Sequence, residues 1–185
     1  MNRLIFYYGA MNSGKSLQLL AFAAKLRNKS IPYIVLKSAT DTRDGNFISS
    51  RPLQEKLPCI MWRPDMVFVE FNHDIKYILV DEAQFLTEQQ VNFLAAIVDN
   101  PDLDITVVCY GLRTDFKTKL FPGSKRLFEL ADELHEIEDV DAEGNKVIIN
   151  ARLVDGKVMT NGPQVVIGAE DKYLSMSRKE FYSRL

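Results

Sequence analysis

A glycine-rich segment near the start of the chain has the residue types and the spacing for phosphate binding. It reads Gly9-Ala10-Met11-Asn12-Ser13-Gly14-Lys15-Ser16 and matches the pattern GxxxxGK[ST] in full. Glycine lets the backbone approach a phosphate closely, while N–H groups and a following helix N-terminus supply positive charge. We expect Lys15 to contact the terminal phosphates and Ser16 to bind Mg²⁺. All eight residues are predicted to bind a nucleotide.

Two adjacent carboxylates, Asp81 and Glu82, follow an apolar run at 77–80. At the carboxyl end of a strand beside the phosphate loop, Asp81 would help to hold Mg²⁺ through water. Glu82 would point to the other side, where it can act as a general base. An Asp-Glu pair can also simply begin a loop. Its position, about 65 residues after the phosphate loop and directly after a buried strand, favours the catalytic interpretation.

The segments around these motifs have the pattern of an α/β domain. Continuous apolar runs, typical of strands covered on both faces, occur at residues 4–8, 31–36, 75–80 and 105–110. Helical spacing of apolar residues begins at Ser13 and again after Thr87, which is a suitable N-cap. The alternation predicts a phosphate-loop NTPase-like, mostly parallel sheet flanked by helices. Residues 38–58 are polar and are predicted to form a long loop.

The pattern changes after residue 132. Turn signals at 143–145 and 155–156 flank two short β-type runs, 147–149 and 152–154. We therefore predict two units. Residues 1–132 form a phosphate-loop α/β kinase domain, and residues 133–185 form a small β-ribbon subdomain.

Composition excludes several classes of protein. The chain has 185 residues, of which 46% are hydrophobic and 26% charged, so a globular fold is expected. Its net charge of −2 predicts no binding to nucleic acid or to an anionic membrane. No apolar run reaches about 18 residues, and the N-terminus is too short for a signal peptide. With Cys59 and Cys109 as the only cysteines, we expect a cytoplasmic protein without a disulfide scaffold.

Phosphate-loop proteins include ATPases, GTPases and small-molecule kinases. The chain has no Asn-Lys-x-Asp segment, which argues against a GTPase that reads guanine. It also lacks the basic composition of a helicase that follows a nucleic-acid strand. A kinase for a small molecule and a nucleotide-dependent switch remain as alternatives.

Several further motifs carry a family resemblance over nearly the whole chain. In order, with the phosphate loop first, the others are Asp41-Thr42-Arg43, Asp81-Glu82-Ala83-Gln84-Phe85, Tyr110-Gly111-Leu112-Arg113-Thr114-Asp115-Phe116, Phe121-Pro122-Gly123-Ser124 and Val166-Ile167-Gly168-Ala169-Glu170-Asp171-Lys172-Tyr173. The chain thereby resembles the type II, cellular-type thymidine kinases. The resemblance implies transfer of the γ-phosphoryl group of ATP to the 5′-hydroxyl of thymidine, giving thymidine monophosphate. A kinase for another deoxynucleoside and a slow ATP-hydrolysing switch are the competing interpretations.

The resemblance also implies roles for individual residues. Glu82 would accept the 5′-hydroxyl proton, and Arg43 would stabilise the transferring phosphoryl group. Asp81 and Gln84 would join the phosphate loop in the ATP site. The residues implied to bind the thymine are Met11, Phe85, Leu112, Phe116 and Tyr173, with main-chain groups of a lasso around Val166 and Gly168. A homotetramer and feedback inhibition by thymidine triphosphate are implied as well.

Two features depart from the family. Arg113 stands where the family usually has Asp or Asn, which reverses a charge near the nucleoside. Family members commonly close the small domain with two Cys-x-x-Cys pairs that bind zinc. By spacing, the corresponding positions are Val140, Glu143, Ser177 and Glu180. Because none of the four is a cysteine, we predict that this protein has no structural zinc.

Overall fold

The computed structural model describes residues 2–42, 45–50, 55–164 and 172–185. Arg43, Val166 and Gly168, which are predicted site residues, lie outside the described residues. Within them the chain forms four α-helices, which are α1 (Lys15–Asn28), α2 (Glu88–Asp99), α3 (Pro122–Leu130) and α4 (Arg178–Ser183). The helix predicted after Thr87 is α2, and Thr87 caps it through a reciprocal capping box with Gln90.

A parallel sheet in the order β5-β2-β6-β7-β1-β8 forms the centre of the molecule. Its strands are β1 (Leu4–Gly9), β2 (Tyr33–Ser38), β5 (Ile60–Trp62), β6 (Tyr77–Asp81), β7 (Thr106–Leu112) and β8 (Glu133–Ile137). Apolar residues of α1 pack on one face, and those of α2 and α3 pack on the other. The predicted parallel sheet flanked by helices is confirmed.

Strand β8 pairs in parallel with β1, although its residues follow the predicted boundary at residue 132. The central sheet therefore extends into the stretch assigned to the small subdomain. That residues 1–132 and 133–185 form two separate units remains a prediction. Periodicity did not identify this strand because Glu133, His135 and Glu136 interrupt its apolar residues at an edge of the sheet.

The predicted long loop at 38–58 contains paired strands, which corrects the sequence-based expectation. Strands β3 (Phe47–Ser49) and β4 (Lys56–Pro58) pair in antiparallel fashion. Ile48 and Leu57 are buried in the core beside α1. The runs are only three residues long, too short for a periodic signal, and burial against α1 stabilises them.

A second, antiparallel sheet has the order β10-β9-β11. Its strands are β9 (Val147–Val154), β10 (Lys157–Val158) and β11 (Lys172–Ser177). The two predicted runs are thus one continuous strand, because β11 pairs along most of its length. Ile149, Ala151, Met176 and Phe181 form a core between this sheet and α4. No helix among the described residues is long and apolar enough to cross a membrane.

Candidate active site

The phosphate loop lies between the end of β1 and the start of α1, as the motif requires. Gly14 has φ of +89°, a left-handed conformation that glycine adopts without strain, and it leads directly into α1. At Gly9 a Cβ atom would lie 2.5 Å from Ser13 Oγ and 2.8 Å from the Ile137 carbonyl oxygen. Only glycine therefore fits at Gly9 without displacing the loop or strand β8.

A polar contact joins the phosphate loop to the end of β6, where the acidic pair begins. Lys15 Nζ donates a hydrogen bond of 2.5 Å to the Ala10 carbonyl oxygen, so its ammonium group lies across the loop. Ser16 Oγ donates to Asp81 Oδ2 at 3.0 Å, although these residues are 65 positions apart. The structure thus brings Lys15, Ser16 and Asp81 together, as the sequence predicted.

Asp81 is buried at the end of β6, only 5% exposed. Burial raises its pKa to about 7, and repulsion from Glu82 adds to this shift, whereas the Ser16 hydrogen bond and Lys15 oppose it. A cation bound beside Asp81 would favour the ionised carboxylate. Mg²⁺ prefers oxygen ligands, and the Ser16 hydroxyl and Asp81 carboxylate supply that donor type.

Glu82 begins a tight turn after β6. Its φ of +52° lies in the left-handed region, which costs a non-glycine residue strain and places its side chain in a defined direction. Gln84, which is fully buried, donates from Nε2 to Glu82 Oε2 at 2.5 Å. Its Oε1 accepts a hydrogen bond of 2.9 Å from Leu112 N. The structure therefore places Gln84 between the predicted base and β7, while its predicted contact with ATP remains a prediction.

Helix α3 packs closely on the backbone of this turn. A Cβ atom at Gly123 would lie 2.4 Å from the Ala83 carbonyl oxygen and 2.9 Å from that of Gln84. Ser124 Oγ donates to the Leu112 carbonyl oxygen at 2.5 Å. Gly123 and Ser124 come from the motif that includes Phe121, whose ring packs edge-on against Phe85 at 5.5 Å. This packing fixes the turn after Glu82.

Part of the predicted thymine-binding set converges on one face of the small sheet. Phe116 is buried, and the Arg152 guanidinium lies over its ring, 5.4 Å from the centroid. Tyr173 is opposite Arg152 in the β9–β11 register, so the two share a face of the sheet. Met11 is linked to the same sheet, because its backbone N–H donates to Asn150 Oδ1 at 2.7 Å.

Sequence reasoning missed two side chains with a place near the site, Asn150 and Arg152. Asn150 lies in the apolar run of β9 and is only 3% exposed. A polar residue inside a buried strand was the available signal, because such a group must find hydrogen-bond partners.

Sequence reasoning also missed a buried ion pair between Lys37 Nζ and Asp41 Oδ2, 3.1 Å apart at the end of β2. Lys37 is in register with Asp81 on β6.

The positions corresponding to the family's zinc ligands are occupied by a hydrogen-bonded turn. Asp141 Oδ1 accepts from Glu143 N at 3.1 Å and from Asn145 N at 2.8 Å. Desolvation opposes ionisation of Asp141, but hydrogen bonds from Asn145, Ser177 and Glu143 outweigh it and lower its pKa. Ser177 also accepts from Glu180 N at 3.3 Å and caps α4. Among the residues that the structure describes, no group of three His, Cys, Asp or Glu side chains could hold a metal.

A parallel sheet with a phosphate loop and an acidic pair at the carboxyl ends of its strands defines a phosphate-loop nucleotide-binding protein. A family model described as "Thymidine kinase" matches residues 2–181. Thymidine kinase of Enterobacteria phage T4 is 42% identical, over 98% of this chain and 96% of that one. Thymidine kinase of Haemophilus influenzae strain 86-028NP is 39% identical, with coverages of 98% and 96%. The chain belongs to the thymidine kinase family.

Proposed function

We propose that this protein is an ATP-dependent thymidine kinase in nucleotide salvage. It transfers the γ-phosphoryl group of ATP to the 5′-hydroxyl of thymidine and releases thymidine monophosphate. The observation that carries this proposal is the similarity to thymidine kinases from residue 2 to residue 181. The contact between Ser16 and Asp81, with Glu82 next to it, supports a phosphoryl-transfer site at the end of the sheet.

Different residues of the chain are proposed to have different roles in phosphoryl transfer. The transition state is loose, so it needs charge stabilisation and in-line positioning more than covalent chemistry. Lys15 and Arg43 supply positive charge to the transferring group. Glu82 accepts the proton of the 5′-hydroxyl, and its hydrogen bond from Gln84 orients the carboxylate.

Ser16 and Asp81 are the residues proposed to hold Mg²⁺, directly or through water. When bound, the ion neutralises charge that develops on the phosphate oxygens. The oxygen donor set and the 3.0 Å separation of Ser16 Oγ and Asp81 Oδ2 support this assignment. The backbone and side chains of residues 9–16 hold the phosphates of ATP.

The thymine is proposed to lie in an apolar slot with a few polar groups that read its edges, because a flat pyrimidine requires both. The side chains proposed to line it are Met11, Phe85, Leu112, Phe116 and Tyr173. Main-chain groups at Val166 and Gly168 are proposed to bind the base edges, on the strength of the family resemblance alone. The cluster of Phe116, Arg152 and Tyr173 supports a base site at this face of the small sheet.

Further properties belong to the same proposal. The family resemblance supports a homotetramer and inhibition by thymidine triphosphate. The residues present at the four ligand positions support a protein without structural zinc. Cys59 and Cys109 are not disulfide-bonded, which supports a cytoplasmic location.

A coupled assay of ADP release tests the proposal directly. Purified protein with ATP and Mg²⁺ is assayed with no nucleoside and then with each deoxynucleoside in turn. We expect turnover that depends on thymidine. Turnover with a different deoxynucleoside would assign another kinase, and ATP hydrolysis without any nucleoside would assign the switch. Either result would contradict the proposal.

A further inference from the structure

Asn150 is a buried amide that connects three segments of the chain. It lies on β9, and only 3% of its surface is exposed. Its Oδ1 accepts a 2.7 Å hydrogen bond from Met11 N in the phosphate loop. Its Nδ2 donates a 3.0 Å hydrogen bond to the Thr114 carbonyl oxygen, after β7. One side chain thus joins the phosphate loop, which lies 139 residues before it, to the segment after β7, which lies 36 residues before it.

The two contacts require an amide. A backbone N–H needs an acceptor, and a carbonyl oxygen needs a donor, so only one orientation of the Asn150 amide satisfies both. A hydrophobic side chain of similar size would supply neither of these two hydrogen bonds. The contacts therefore specify the residue type at this position more narrowly than packing alone would.

Strand β9 presents two different faces. Ile149 and Ala151 point into the apolar core with α4. Asn150 and Arg152 lie on the other face, because side chains alternate along a strand. On that face Arg152 covers Phe116, which follows Thr114 by two residues. Asn150 consequently lies between the phosphate loop and the segment that carries a proposed thymine-binding ring.

The contact with Asn150 holds one backbone amide of the phosphate loop. The backbone N–H of Met11 donates its hydrogen bond to Asn150 and therefore points toward the small sheet, which keeps the phosphate loop beside that sheet. If the Thr114–Phe116 segment moves when a nucleoside binds, Asn150 transmits the change to Met11 through a pair of short hydrogen bonds. The reverse path, from nucleotide to nucleoside segment, uses the same two bonds.

We propose that Asn150 is a positioning residue that couples the ATP site to the nucleoside site. It holds Met11 and the Thr114–Phe116 segment in register, so that binding of one substrate favours binding of the other. This inference rests on the proposed function, since thymidine is taken as the nucleoside. Asn150 acts through the backbone of Met11 and Thr114 and is not assigned a contact with the reacting atoms.

Two substitutions separate the two hydrogen bonds. Asn150→Leu removes both at similar size. Asn150→Asp keeps the acceptor for Met11 N but places a carboxylate oxygen beside the Thr114 carbonyl oxygen, where no donor remains. Gln90→Leu is the matched control. Gln90 is a buried amide on α2 whose Nε2 donates at 2.9 Å to the Arg63 and Met66 carbonyl oxygens, away from the site.

The experiment measures steady-state kinetics for both substrates, and thymidine binding by calorimetry with and without a non-hydrolysable ATP analogue. The wild type should bind thymidine at least about 5-fold more tightly with the analogue present. Asn150→Leu should lose this dependence and lower kcat/KM about 10–100-fold, with raised KM for both substrates. Asn150→Asp breaks one of the two bonds in the connection, so it should also weaken the dependence of thymidine binding on the analogue and raise KM for both substrates, by less than Asn150→Leu does.

Gln90→Leu should lower the melting temperature yet leave both KM values, kcat and the coupling within about 2-fold of wild type, because its lost bonds lie outside the site. The proposal is overturned if Asn150→Leu behaves like Gln90→Leu, or if the wild type shows no coupling. If Asn150→Leu does not fold, wild-type coupling between the analogue and thymidine in Asn150→Asp overturns it instead. A wild-type protein that does not phosphorylate thymidine contradicts the proposed function, and this is seen before any variant is compared.

Discussion

The phosphate end of the site is built from two short stretches of chain, whereas the nucleoside end is assembled from distant ones. Residues 9–16 and the Asp81–Glu82 pair lie at the carboxyl ends of β1 and β6 in the central sheet. Around Phe116, by contrast, the segment after β7 and strands β9 and β11 each contribute a side chain or a backbone contact. Substitutions at the phosphate end should therefore change catalysis with little effect on folding. Substitutions at the other end should change substrate binding and stability together.

The largest expected effect is at the proposed base. Glu82→Gln keeps the size and the hydrogen bond to Gln84 but cannot accept a proton, so kcat should fall about 10²–10⁴-fold with thymidine binding largely kept. Steady-state kinetics and calorimetry measure both quantities. Glu88→Gln, the same change at an exposed residue of α2, should leave kcat within about 2-fold. Nearly full turnover in Glu82→Gln would show that Glu82 is not the base.

Removal of the phosphate-loop charge should have the next largest effect. Lys15→Ala should lower kcat/KM for ATP about 10²–10³-fold, because it removes a preorganised positive charge from the transferring phosphates. The melting temperature should change little, since Lys15 is only half-buried at the end of the sheet. Lys25→Ala on the same helix, at an exposed position, serves as the control. Normal kinetics in Lys15→Ala would contradict the ATP site proposed here.

A substitution at Gly123 tests whether the packing of α3 on the turn after Glu82 affects both stability and catalysis. Gly123→Ala places a methyl group 2.4 Å from the Ala83 carbonyl oxygen, so either α3 or the turn after Glu82 must shift. We expect a loss of about 1–3 kcal/mol in the free energy of unfolding, together with lower kcat. Chemical denaturation measures the first and the coupled assay the second. Lys125→Ala, exposed on the same helix, should change neither; unchanged unfolding in Gly123→Ala would show that the close packing is not needed.

The smallest effect is expected in the turn that occupies the zinc-ligand positions. Asp141→Ala removes the acceptor that Asn145, Glu143 and Ser177 share, so the melting temperature should fall slightly, by an amount that calorimetry can resolve. Glu143→Ala keeps its backbone N–H and is the control in the same turn. Neither change should alter the metal content. Elemental analysis showing about one zinc per chain that resists mild chelation would contradict the predicted absence of zinc.

Most of the phosphate end could be predicted because its signals are local. The eight-residue loop pattern and the apolar runs before it and before Asp81 are contiguous in sequence, so they specify strand, loop and helix without long-range information. The parallel sheet followed from the same alternation and is confirmed. Short or interrupted elements, such as β3, β4 and β8, were missed because a run of three residues, or a strand with charged residues, gives no clear period.

The sequence by itself determined the phosphate loop, the acidic pair, the class of fold and the resemblance that named the family. Only the tertiary structure decided that Asn150 meets Met11 across 139 residues, that Arg152 covers Phe116 and that Gly123 packs on the turn after Glu82. The reason is physical. A hydrogen bond or close contact between distant segments depends on how whole strands and helices pack, and no local pattern of residue types records that packing.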